Sequence, residues 1–100
     1  MGEVIRIDER RATRVVDPLW REVVGRRLRA RRDARGDTLA DTAARAGIAP
    51  QYLSELECGR KYPSSEILAA IVGALGTSIA EISGLSHHDL TRGEATLLVA

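Results

Sequence analysis

Residue types that do covalent or metal chemistry are sparse in this chain. The histidines are His87 and His88, and the cysteine is Cys58. Adjacent residues on a helix point about 100° apart, so His87 and His88 do not form one metal site and read as a solvated pair. Cys58 stands near Arg60 and Lys61, and nearby positive charge favours the thiolate, but its place at a helix C-terminus works the other way. It reads as an inert thiol. There is no phosphate-binding loop, no nucleophile with a neighbouring base and no metal-ligand set, so neither an enzyme nor a bound cofactor is expected. What remains is hydrogen-bonding and ionic chemistry on one short stretch. Pro50, Gln51, Ser54 and Glu55 are free to point out of a helical pattern whose Leu53 and Leu56 point in, and the basic loop Arg60-Lys61-Tyr62-Pro63 follows.

Two short helical patterns position those side chains. The first opens at Thr38, with Asp41 three residues on to complete a capping box, and ends at Gly47. Leu39, Ala43 and Ala46 form its inner face, and Ala43 is small where the two helices cross closely. The second opens with Pro50, favoured in a first helical turn because its missing N–H is not needed there. It ends at Gly59. Neither helix is long enough to be stable alone, so the flanks must supply a core. Two such helices joined by three or four residues form a helix-turn-helix pattern.

The residues of 38–64 resemble the lambda-repressor/Cro-type (XRE-like) helix-turn-helix family at Ala43, Gly47, Ile48, Tyr52-Leu53-Ser54, Leu56-Glu57, Gly59-Arg60-Lys61 and Pro63-Ser64. The wider resemblance runs from about Val24 to Ile82. Within the family the chain is similar to the actinobacterial regulators of Clp protease genes. The resemblance implies an all-α, five-helix DNA-binding domain whose third helix lies in the major groove of double-stranded DNA, with the second across its N-terminal part. It places Pro50, Gln51 and Glu55 toward bases. Gln51 can pair bidentately with adenine, Glu55 can accept from cytosine N4–H, and Pro50 offers apolar contact. Tyr52 either reaches a phosphate or packs under the helix. Arg60 and Lys61 suit the DNA backbone. The family often has Gln at the start of helix two; here Leu39 stands there, so its phosphate contact is either lost or replaced by the Thr38 hydroxyl and backbone N–H groups. The resemblance also pairs Arg32 with Glu57, the alternative being that Arg32 is one more surface charge. Thr42 departs from the larger aliphatic residue usual in the family.

The rest of the chain must supply the core. One hundred residues make one small domain, near the lower limit for a self-sufficient core. Phe is absent and the aromatics are Trp20, Tyr52 and Tyr62, so the core must be aliphatic. Residues 1–16 form an arm, with Val4–Ile7 as a candidate strand and Arg10, Arg11 and Arg14 able to reach a minor groove, although a loosely held terminus is the plainer reading. Asp17 and Pro18 start a first helix, about Leu19 to Arg35, stopped by Gly36. Val24 and Leu28, with Leu19 and Val23, make its apolar stripe, and Arg26, Arg27, Arg29, Arg31 and Arg35 mostly face away from it. Trp20 reads as core. Ser64 or Ser65 caps a fourth helix carrying Ile67, Leu68, Ile71, Val72 and Leu75. Ser78 with Glu81 makes a second capping box before a short fifth helix with Ile79 and Ile82. The domain so read spans 17–84, and 85–100 is a short C-terminal tail suited to dimerisation.

Net charge is +1, but its distribution is uneven: +5 over residues 1–35, −1 over 36–63 and −3 over 64–100. A basic first third is what a phosphate-facing surface requires, and it is also what two solvated helix faces of unequal composition produce. No apolar run approaches a membrane span, and the single cysteine fits a reducing cytoplasm. A single module reads few base pairs, so the expected partner besides DNA is a second copy of the chain on a two-fold symmetric operator. Regulators of the resembled subgroup tend to end in small apolar residues that mark them for Clp proteolysis, which makes Leu97-Leu98-Val99-Ala100 a candidate contact with Clp protease or else a packing segment. An antitoxin or phage-type repressor is the rival reading. A protein-interaction adaptor that has lost DNA is another, separated from the first by salt-dependent DNA binding.

Overall fold

The computed structural model describes the backbone of residues 20–99 and side chains as far as Arg92. The N-terminal arm, the Asp17-Pro18 start and the last side chains of the C-terminal tail therefore lie outside the described residues. Five helices follow one another, and no strand occurs among the described residues: α1 over 20–35, α2 Leu39–Ala46, α3 Pro50–Glu57, α4 Ser65–Ala74 and α5 Ile79–Val99.

The core is aliphatic. Val24 and Leu28 of α1, Ala43 of α2, Leu53 and Leu56 of α3, Leu68, Ile71 and Val72 of α4, Leu75 just after it and Ile82 of α5 are buried together. Leu39, Ala46 and Ile67 pack on this cluster part-exposed, as do Trp20 and Tyr52. Thr42 is fully buried, and its hydroxyl oxygen finds no hydrogen-bond partner among the described residues. An apolar position has thus been filled by a polar residue with no local compensation.

The short helices are delimited by their caps. Thr38 Oγ1 accepts from the Asp41 N–H while Asp41 Oδ2 accepts from the Thr38 N–H, a complete capping box. Ser64 Oγ accepts from the Ile67 N–H at the start of α4. Before α5, Ser78 Oγ accepts from the Glu81 N–H, but the Glu81 carboxylate turns to the Thr77 hydroxyl instead of reaching back, so half of the expected box forms. At the other ends the chain reverses through left-handed glycines. At Gly47 (φ 72°) the Ile48 N–H donates to Ala43 O and the Gly47 N–H to Ala44 O, the paired bonds that satisfy a helix's last carbonyls.

The fifth helix is longer than its sequence pattern indicates. It runs through Gly84 to Val99, with Ile82 and Ser86 buried on it. A glycine inside a helix costs about 1 kcal/mol relative to alanine. Burial on both sides and the ion pair from Asp89 to Arg27 hold the helix through that point.

Several arginines of α1 are engaged within the fold, whereas Arg26 and Arg29 remain exposed. Arg27 makes a bidentate pair with Asp89, with Nε 2.6 Å and Nη2 2.7 Å from the two carboxylate oxygens. Arg31 donates to the carbonyls of Leu75 and Gly76 at 3.0 Å each. Arg35 and, from α2, Arg45 share Asp37, and Arg45 also donates to Ala74 O. With Arg35 Nη1 donating to the Leu75 carbonyl at 3.4 Å, three guanidinium groups close the C-terminus of α4, where free carbonyls and the negative end of the helix dipole favour cations. The basic excess of the described part of α1 is largely internal wiring.

Candidate nucleic-acid interface

α3 is held from behind by two devices. The first is Arg32 and Glu57, whose side chains are 11% and 6% exposed. Arg32 Nε donates to Glu57 Oε2 at 2.8 Å and Nη2 to Oε1 at 2.9 Å, while Nη1 donates to the Asp37 carbonyl at 3.0 Å. One guanidinium therefore ties the end of α1, the entry to α2 and the last turn of α3. Its bonds to Glu57 raise its pKa and keep it charged. The alternative of a surface arginine is excluded by this geometry. The second device is Gly25. A Cβ there would lie 2.6 Å from the Glu57 carbonyl oxygen and closer still to that of Leu56. The α1 backbone passes too near the end of α3 for any side chain. Gly25 carries no turn and no positive φ, so nothing local in the sequence marks it.

With its inner face fixed, α3 presents the other side outward. Pro50 and Gln51 are exposed, and Ser54 and Glu55 are partly exposed. Pro50 sits in the first turn after Ala49, which contributes no side-chain cap. Gln51, Ser54, Glu55, Cys58 and Arg60 line one shallow depression. Gln51 is exposed and its side-chain amide makes no hydrogen bond to another described residue, which leaves its donors and its carbonyl unengaged. Thr38, at the entry to α2, is exposed, and its oxygen accepts within the capping box while its hydroxyl proton remains able to donate.

Tyr52 packs against the core while remaining part-exposed. The Lys61 ammonium lies 5.7 Å from its ring centroid. Lys61 Nζ also lies 3.5 Å from Glu55 Oε1. Trp20 packs against the core as expected and adds an Nε1–H donation to the Tyr62 oxygen at 3.0 Å. Cys58 is exposed, as are His87 and His88, and no group of three His, Cys, Asp or Glu residues among those described could hold a metal ion. No single helix among the described residues is long and apolar enough to cross a membrane.

A domain of short capped helices, one of them backed by a buried ion pair with its outer face polar and open, is a helix-turn-helix domain. Residues 28–82 match the family described as Helix-turn-helix, and the chain belongs to that family. It is 53% identical over 57 residues to the transcriptional regulator ClgR of Mycobacterium tuberculosis, covering 57% of this chain and 51% of that one. The HTH-type transcriptional regulator DdrOP3 of Deinococcus deserti is 43% identical over 67 residues, 67% of this chain and 46% of its own. Among solved structures, one crystal structure of the clp gene regulator ClgR from Corynebacterium glutamicum superposes with a TM-score of 0.75 at 39% identity, over 80% of this chain and 85% of that one. The chain spans about half the length of the curated relatives just named.

Proposed function

We propose that this chain binds double-stranded DNA through α3 in the major groove and regulates transcription as a dimer on a two-fold symmetric operator. Genes of the Clp protease system are the proposed targets, because the similar proteins are named clp gene regulators. The observation that carries the reading is the outer face of α3. Gln51 offers a planar amide that matches the N6 and N7 edge of adenine, Glu55 offers an acceptor for cytosine N4–H, and Pro50 offers apolar surface to a thymine methyl. Lys61 and Arg60 lie beside that face and, with the Thr38 hydroxyl, would meet phosphate oxygens, fixing register without reading sequence. Ser54, partly exposed between Gln51 and Glu55, adds a hydroxyl able to serve either role.

Selection of duplexes from a randomised pool tests this directly. The wild-type chain should select a two-fold symmetric sequence. Gln51→Ala should weaken that duplex by about 1–3 kcal/mol and relax base preference at one position per half-site. If Gln51→Ala leaves affinity and preference intact, α3 is not the reading helix.

A further inference from the structure

Glu55 presents a difficulty that α3 must solve if it reads DNA. A carboxylate on a surface that approaches phosphates meets like charge, which opposes binding unless a cation accompanies it. We propose that Lys61 is that cation, and that it determines specificity by letting an acidic side chain read a base. The inference rests on the reading of α3 as the DNA-contacting helix.

The geometry comes from the turn after α3. Gly59 (φ 75°) donates its N–H to Leu56 O at 3.1 Å, and the Arg60 N–H donates to Glu55 O at 3.0 Å. These paired bonds fold the chain back along the helix it has just left. The turn is fixed twice over. Its positive φ suits glycine, and a Cβ at Gly59 would also lie 2.8 Å from Glu22 Cα of α1. The returning chain delivers Lys61 to Glu55 and Tyr52, which lie three residues apart on one helix face. Tyr52 is anchored on the core, so its ring is a fixed platform whose face attracts the ammonium.

The contact neutralises Glu55 without consuming it. Lys61 Nζ is 3.5 Å from Oε1, an ion pair with no accompanying hydrogen bond. The carboxylate lone pairs stay available to a base amino group, and the ammonium protons stay available to a phosphate. Arg60 lines the same depression but makes no ion pair with Glu55. The counter-charge is therefore Lys61 and not the loop's positive charge in general.

A plain phosphate contact and a counter-charge differ in epistasis. Binding of wild type, Glu55→Gln, Lys61→Met and the double variant is measured on the duplex selected by wild type and on a scrambled duplex, at two salt concentrations, with thermal melts to confirm folding. In the wild-type background Glu55→Gln should weaken the selected duplex and relax one position. In the Lys61→Met background the same change should strengthen binding by about threefold, because it removes an uncompensated charge. Equal weakening by Glu55→Gln in both backgrounds overturns the proposal while leaving α3 as the reading helix. Absence of salt-dependent binding by wild type to any duplex overturns that underlying reading and the counter-charge with it.

Discussion

At the scale of single residues, Thr42, like Ser86, places in the core a hydroxyl that has no partner among the described residues. Thr42 is fully buried on α2. A buried hydroxyl without a hydrogen bond costs about 1–3 kcal/mol. Valine has nearly the same shape and no polar atom to desolvate. We therefore expect Thr42→Val to stabilise the domain by about 1 kcal/mol, which for a domain of this size raises Tm by roughly 4–8 °C. A lowered Tm would mean that the hydroxyl is satisfied inside the fold. The contrast with Arg32 and Glu57 is instructive. Those two charges are nearly as hidden, but each meets the other through two hydrogen bonds, and Arg32 spends a third on a carbonyl. Either one alone would be an unpaired buried charge, which is far worse than the pair. Thr42 was visible in the sequence as a departure from the family's aliphatic residue. Gly25 was not visible, because its reason is the backbone of a helix some thirty residues away.

At the scale of elements, the anchoring of α5 rests on the Arg27–Asp89 pair. The Arg27 hydrogen bonds hold the Asp89 carboxyl below the usual aspartate range, and Arg35 and Arg45 do the same to Asp37 at the α1–α2 junction. Both carboxylates have folded pKa values lower than in the unfolded chain. Their stabilisation is complete above the unfolded value of about 3.9 and is lost as pH falls through the lower folded values. Stability should thus vary little through these groups from pH 7 to about 5 and fall below about 4. Asp89→Asn should cost about 0.5–1 kcal/mol at pH 7, as part-exposed pairs do, and the gap to wild type should close toward pH 3. Urea melts at pH 7, 5 and 3 measure this. A gap that stays constant with pH would mean that the pair does not hold α5. The boundaries of α2, α3 and α4 were legible because caps are local: Thr38 with Asp41, Pro50, Gly47, Gly59 and Ser64 act within a few residues of themselves. The extent of α5 was not legible, since Gly84 looks like a stop until Asp89 finds Arg27. The arginine ties to the α4 terminus were equally hidden, because Arg31 and Arg45 reach partners 44 and 29 residues away.

At the scale of the whole molecule, charge is divided between scaffold and surface. Arg27, Arg31, Arg32, Arg35 and Arg45 are spent on holding helices together. The uneven charge of the sequence is therefore explained in large part by internal pairing, and the proposed binding face rests instead on the outward pattern of α3. On the proposed reading Lys61 and Arg60 supply the phosphate contacts beside α3, and register and base contacts carry much of the discrimination. That division is consistent with a second copy of the chain doubling a small half-site. The central claim is that DNA lies against α3 with Thr38, Arg60 and Lys61 at its margins. Amide-resolved NMR titration of the wild-type chain with its selected duplex tests it most directly. We predict the largest shifts at Thr38, Gln51, Ser54, Glu55, Arg60 and Lys61, together with the side-chain amide of Gln51, and small shifts along α4. Shifts concentrated on α4 and α5 with α3 unmoved would contradict it.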